Sequence, residues 1–168
     1  MKNSVLLIIL SLLMPVLAQA APQLVAINIA DVPAGSIVIK ERERALYFKI
    51  DEGRAIRYRV AVPRANMRWS GRAFIESKHI RPAWSPPAVV KRANPHLPDV
   101  IAGGAPGNPM GEAALLLNLE EIAIHGTSRS MRGSIGTAAS FGCIRMLNED
   151  VLDLYGRVQT GAPVYMVP

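Results

Sequence analysis

The chain has 168 residues, half of them hydrophobic, and carries a formal net charge of +6 from 19 Lys/Arg against 13 Asp/Glu. That size suits one ordinary domain with a sizeable core, and the basic residues form no long block of the kind that grips nucleic acid. With only one cysteine, Cys143, an internal disulfide framework is excluded.

The first 20 residues read as a targeting segment. Lys2 gives a short positive start, Val5 to Leu17 an apolar run, and Ala18-Gln19-Ala20 a small-x-small cleavage site. This is the pattern of a secretory signal peptide over 1–20, too short and wrongly flanked for a membrane-spanning helix. Cleavage leaves residues 21–168 as a single domain. No cysteine near the cut can take a lipid, so no stable membrane anchor is expected after cleavage. The expected location is secreted across the inner membrane, periplasmic or cell-wall associated. There the basic excess favours anionic partners such as wall polymer or acidic lipid, not nucleic acid.

Strands dominate the N-terminal half. "SIVIK" (36–40) is a short β-branched run, and "RALYFKI" alternates, with Leu46, Phe48 and Ile50 on one face. "RAIRYRVAV" puts Ile56, Tyr58, Val60 and Val62 on one face and Arg57 and Arg59 on the other. Between these two strands, Asp51-Glu52-Gly53 suits a hairpin with Gly53 in the left-handed conformation. "GRAFIESKHI" (71–80) is a further strand. Residues 82–109 hold seven of the 13 prolines, which bars a central strand. Pro86-Pro87 can open a short helix over "AVVKR". The remainder is a long shaped loop, of the sort that forms walls or lids. "AALLLNL" (113–119) and "EIAIH" (121–125) resume the strands. "NEDVLDLYGRV" is a helix with Asn148 as cap and Val151, Leu152, Leu154, Tyr155 and Val158 as its apolar face. "APVYMV" closes as a strand. The fold class is mainly β, with sandwich-like mixed sheets and one or two short helices.

A lone thiol in an oxidising compartment is either buried and inert or wanted for its reactivity. His125 ends an apolar strand 18 residues before Cys143, across a loop rich in Gly and Ser. A histidine within reach of a cysteine can generate thiolate. Glycine follows the histidine in "HGTS" and precedes the cysteine in "SFGC". Such small residues let backbone N–H groups face a developing oxyanion. Arg145, two residues past Cys143, projects to the same side in an extended segment and suits a carboxylate.

The block from "IHGT" through "SIG" to "SFGCIRMLNED", with "WSGRAFI" at 69–75 and "GGAPGNPMGEAAL" at 103–115, resembles the L,D-transpeptidase catalytic (YkuD-like) domain over roughly residues 34–167. The resemblance implies a β-sandwich-like fold built on mixed sheets. It also implies a cysteine that attacks a peptidoglycan tetrapeptide stem, releases D-alanine and forms a thioester, which an acceptor amine then resolves. It makes Cys143 the nucleophile and His125 the base, oriented by the Gly126 carbonyl. The oxyanion hole falls to the N–H groups of Gly142 and Cys143, with Phe141, and Ser140 and Arg145 fall to substrate binding. The acceptor stays open between another stem peptide, a lipoprotein lysine, a free D-amino acid and water. With water the activity would be that of an L,D-carboxypeptidase. A catalytically silent wall-binding relative is the other alternative. The family commonly reads Ser-His-Gly-Cys where this chain reads Ser-Phe-Gly-Cys, a change that leaves a backbone N–H role intact.

His79 and His96 lack paired ligand spacing, so no metal is expected, and the Gly103 to Gly111 stretch lacks the strand and lysine context of a phosphate loop, so no nucleotide or other cofactor is expected. Trp69 and Trp84 flank the proline-rich loop and are expected to pack there more than to stack on substrate. A papain-like protease places its cysteine before its histidine, the reverse of the order here.

Overall fold

A computed structural model describes residues 21–168. The signal peptide expected at 1–20 lies outside the described residues. The strands are β1 (Gln23–Ala26), β2 (Ile37–Lys40), β3 (Ala45–Lys49), β4 (Arg54–Arg59), β5 (Val62–Pro63) and β6 (Gly71–Ile80). Helix α1 (Ala88–Ala93) stands in the proline-rich stretch. After it come β7 (Ala113–Leu117), β8 (Ala123–His125), β9 (Ala138–Ser140), β10 (Ile144–Arg145), helix α2 (Asn148–Arg157) and β11 (Pro163–Val167).

Nine strands hydrogen-bond in the order β1-β4-β3-β2-β11-β6-β7-β8-β10, and β5 pairs separately with β9. The sheet is mixed: β2 with β11 and β8 with β10 run parallel, the other neighbours antiparallel. β6 serves two ladders. Its Gly71–Phe74 half lies against β11 and its Ile75–Ile80 half against β7, with the register slipping between Ile75 and Ser77. Such an irregularity bends a strand and re-aims the sheet. Both halves then bury against one core, where Ile37, Leu46, Ile56 and Tyr58 join Leu115, Ile124 and Ile144, with Val151, Leu154 and Val158 of α2. The mainly β, sandwich-like mixed architecture expected from the sequence is the one observed.

Four local expectations change. β3 is buried on both faces, not one: Ala45 and Tyr47 are as hidden as Leu46 and Phe48, while Ile50 is exposed. The second face is covered by the segment around β1, where Val25, Ile27, Ile29 and Val32 pack on Val38, Ala45, Tyr47 and Ala55. The buried Lys49 ties that segment down, its Nζ donating to the carbonyls of Ile29 at 3.0 Å and of Val32. In the β3–β4 hairpin Gly53 is not left-handed. Asp51 carries the turn instead, its Oδ1 accepting the Gly53 N–H at 3.0 Å. Pro87 precedes α1 rather than starting it. Finally, Leu147 occupies the cap position of α2, Asn148 is spent elsewhere, and Leu152 faces solvent.

Candidate active site

His125 ends β8 and Arg145 ends β10. The parallel register sets Arg145 opposite His125 and Ile144 opposite Ile124. Side chains alternate across a strand. Ile124 and Ile144 therefore enter the core, both fully buried. His125, Arg145 and Cys143, the residue just before β10, turn to the other face. There all three line one cavity of about 1020 Å³. Trp84, Val90, Leu97 and Ile101 of the proline-rich stretch form a wall of the same cavity. That stretch is held in shape by Asn108, whose Nδ2 donates to the Pro82 and Ala102 carbonyls at 2.9 and 3.0 Å and whose Oδ1 accepts the Met110 N–H at 2.8 Å.

The His125 ring is buried, and its Nδ1 lies 2.7 Å from the Gly126 carbonyl oxygen. A carbonyl can only accept, so Nδ1 carries the proton and Nε2 keeps a lone pair. Burial first, and the Arg145 charge second, push the ring down to about 4, against the pull of the Gly126 and Pro109 carbonyls. The imidazole is therefore neutral at physiological pH. Burial pushes the Cys143 thiol up, opposed by the Ala123 backbone and the Arg145 charge. Together these shifts give a neutral thiol–imidazole pair at rest rather than a thiolate–imidazolium pair. The thiol is turned toward the Glu121 carbonyl oxygen at 3.5 Å. Among the described residues Sγ makes no hydrogen bond to the His125 ring. Glu121 itself adopts a left-handed φ of 59°, uncommon for a non-glycine residue, in the turn between β7 and β8.

The turn from Ser140 to Cys143 is internally braced. Ser140 Oγ donates to the Cys143 carbonyl at 2.5 Å and accepts the Gly142 N–H at 3.3 Å. The Ser140 hydroxyl and the Gly142 N–H, singled out above for substrate and oxyanion, are thus engaged within the turn. Gly142 has φ +132°, and a Cβ there would meet Ile122 Cδ1 at 2.5 Å, so only glycine fits unstrained. Phe141 lines the cavity, and its ring carries the Arg64 guanidinium at 3.9 Å from the centroid. Arg145 is partly buried, and among the described residues no carboxylate pairs with it. Asp153 is committed to Arg157 and to the Tyr58 hydroxyl.

Three residues that sequence reasoning did not place at the site support it. Trp69 Nε1 donates to the Gly142 carbonyl at 3.0 Å. Asn148 Oδ1 accepts the N–H groups of Thr127 at 3.0 Å and Glu112 at 3.2 Å, pinning the loop after His125. Arg64 follows β5 and stacks on Phe141. All are long-range contacts, and only the Asn in a helix-start pattern left any local trace. His79 is exposed and meets Ser77 Oγ at 3.0 Å, and His96 is exposed; neither lines the cavity. Among the described residues no three His, Cys, Asp or Glu side chains are gathered as a metal site.

Comparison with known proteins gives the site its context. Residues 34–166 match the family model described as the L,D-transpeptidase catalytic domain. The chain is 37% identical over 97 residues to the "Probable L,D-transpeptidase YbiS" of Escherichia coli K12, a match covering 55% of this chain and 30% of that protein. The solved L,D-transpeptidase 3 of Mycobacterium tuberculosis has the same fold, with a TM-score of 0.66 at 15% identity over 81% of this chain and 62% of that one. A Brucella melitensis structure described as a probable carnitine operon oxidoreductase is 37% identical, with a TM-score of 0.58 over 84% of this chain and 89% of that one. The described residues contain no membrane-crossing helix. With a family model spanning residues 34–166 and a shared fold, this chain belongs to the L,D-transpeptidase catalytic domain family.

Proposed function

We propose that residues 21–168 act as one catalytic domain, a cysteine L,D-transpeptidase that works on peptidoglycan tetrapeptide stems outside the inner membrane. The observation that carries this reading is the β8–β10 register, which sets the Cys143 thiol and the His125 ring on one face of one cavity. In the proposed reaction the thiol turns from Glu121 toward Nε2 of His125, which takes its proton as sulfur attacks the scissile carbonyl. The Nδ1–H bond to Gly126 holds the tautomer this requires. The N–H of Cys143 faces the oxyanion, with that of Phe141 beside it, while the Gly142 N–H stays on Ser140 Oγ and helps set the turn. Ser140 serves by bracing the turn. The C–N bond breaks, His125 returns the proton to the amine of D-alanine, and a thioester remains on Sγ. An acceptor amine then attacks that thioester and regenerates the thiol. In this reading Arg145, without a carboxylate partner among the described residues, takes a substrate carboxylate. Glu76, Glu120 and Glu121 line the same cavity, chemistry that suits the ammonium of an amine acceptor such as a stem peptide, a lipoprotein lysine or a D-amino acid.

The redox description of the Brucella relative stays with that protein. Among the described residues, no parallel strand pair is joined by a helix that opens on a glycine-rich dinucleotide loop. The test is incubation of the purified domain with disaccharide-tetrapeptide, alone and with an amine acceptor, followed by product mass. D-alanine release with a cross-linked product supports the transpeptidase, and release into water alone supports an L,D-carboxypeptidase. Wild-type protein without release, or release undiminished in Cys143→Ala, overturns the mechanism and favours a silent wall-binding relative in the first case.

A further inference from the structure

Arg64 and Arg145 flank the two ends of the turn that carries Cys143. The backbone explains how. Ala61 and Arg145 exchange both N–H···O bonds, at 2.9 and 3.0 Å. Three residues on, after β5 has paired with β9, the Arg64 N–H donates to the Ser140 carbonyl at 3.1 Å. The stretch 61–64 therefore runs beside the whole of 140–145, with one arginine at each end.

The Arg64 guanidinium is positioned by two contacts: it lies over the Phe141 ring, 3.9 Å from the centroid, and one Nη donates to the Ala139 carbonyl at 3.3 Å. A guanidinium has five N–H donors; Arg64 is not itself a lining residue of the cavity and meets its wall through Phe141, which is. Neither arginine has a carboxylate within ion-pair distance among the described residues. Burial depresses the Arg145 guanidinium, Cys143 opposes this, and the Arg64 charge adds a smaller push in the same direction as burial. Arg145, partly buried on the same turn whose Phe141 ring carries Arg64, is relieved by an anion that both guanidiniums can meet.

We propose that Arg64 and Arg145 form a two-guanidinium carboxylate site beside Cys143, with the Phe141 ring as the platform that fixes Arg64. Its ligand class is a carboxylate-bearing peptide donor, preferred over the corresponding amide. This deepens the reading under Proposed function and rests on it for the donor's identity. It also gives position 141 a role for its side chain. A phenyl face attracts a guanidinium at every pH, whereas an imidazole that gains a proton repels it.

The sole thiol permits a test that needs no turnover. Cys143 is alkylated with iodoacetate, an anion, and with iodoacetamide, its neutral isostere; in each case sulfur displaces iodide. Both reagents draw on the same thiolate, so the ratio of their rates cancels any change in thiol pKa and reports the local anion preference. Arg64→Ala is expected to lower the iodoacetate-to-iodoacetamide ratio about five-fold, and high salt to erode the wild-type ratio toward the variant's. Phe141→Leu, which keeps apolar bulk and loses the π face, is expected to lower it about two- to three-fold. Arg64→Lys keeps the charge but not the planar stack and is expected to fall between. Melting curves confirm folding. An unchanged ratio in folded Arg64→Ala overturns the site, even if D-alanine release proceeds as proposed. A lowered ratio in a protein that releases no D-alanine upholds the site and sinks the transpeptidase reading instead.

Discussion

His125 is held with Nδ1–H on the Gly126 carbonyl and is pushed down to about 4 by burial and by Arg145. Two consequences have a sign. As the proposed base it is competent when neutral, so kcat/KM for the proposed D-alanine release should hold from pH 8 down to about 5 and fall only as the pH nears about 4. An unperturbed imidazole would place that limb near 6.5. For stability, the folded pKa lies below the unfolded one. The unfolded chain therefore binds the extra proton between about 6.5 and 4, and stability is full above that window and is lost as pH falls through it. A pH series of urea midpoints on wild type and on His125→Gln checks this, the variant being the flatter of the two. Gly142 argues a different point at the same scale. Ile122 Cδ1 can swing away from a built Cβ, but φ +132° is strained for any side chain, so Gly142→Ala is expected to shift the turn beneath Cys143. A displacement on the order of 1 Å costs about 10²-fold in rate. Single-turnover acylation by the stem peptide is expected to drop by that order while the circular dichroism spectrum is retained.

At the scale of elements, β8, β10 and α2 form one working unit. α2 begins where β10 ends, and its first residue reaches back under the loop after His125: Asn148 Oδ1 takes two backbone N–H groups, from Thr127 and Glu112. Asn148→Ala leaves both donors unpartnered in a partly buried place. That costs about 1–3 kcal/mol of stability and loosens the Gly126 carbonyl that orients the imidazole. Lower urea midpoints together with a larger loss in kcat than in KM are expected. Two residues on, Asp150 is buried and pushed up to about 6, by burial first and then by Glu149 and Asp153. Its folded pKa lies above the ordinary carboxylate value, so the penalty for its charge is full above about pH 6 and vanishes below about 4. Asp150→Asn should therefore raise the melting temperature at pH 7–8, by about 1–3 kcal/mol of stability, and converge with wild type near pH 4. A variant equally altered at both pH values would mean that hydrogen bonding, not charge, decides there.

The whole molecule is organised by β6, which passes from one ladder to the other at Ile75–Ser77 and so brings the β2–β4 face and the β7–β10 face onto one core. The opposite face of β2, β3 and β4 is closed by the segment 23–33, which precedes the matched region 34–166. Lys49 is its latch, 1% exposed and bonded to the carbonyls of Ile29 and Val32. Lys49→Met keeps the stem length and removes the donors. It should free this segment, costing about 1–3 kcal/mol, and raise amide exchange in residues 23–33 while leaving D-alanine release per folded molecule close to wild type. Unchanged exchange would mean that the apolar contacts of Val25, Ile27, Ile29 and Val32 hold the segment alone.

Periodicity along the chain determined the strands and the mainly β class, because alternation in "RAIRYRV" and the run "GRAFIESKHI" are local properties with a two-residue repeat. It also determined that His125 and Cys143 lie at the two ends of a small-residue loop, since glycine beside each is visible in the sequence. The second buried face of β3 was invisible, because the cover comes from residues about twenty positions away and leaves no trace in β3's own pattern. The three supports of the site were equally hidden. Trp69 on Gly142 spans 73 residues, Asn148 on Thr127 spans 21, and Arg64 on Phe141 joins residues just past β5 and β9, which pair apart from the nine-stranded sheet. Chain-local chemistry names a candidate nucleophile and a candidate base. Which N–H groups are spent within the turn, which cation is left without a partner, and where the thiol rests are set by contacts between segments far apart in sequence, and those exist only once the core has closed.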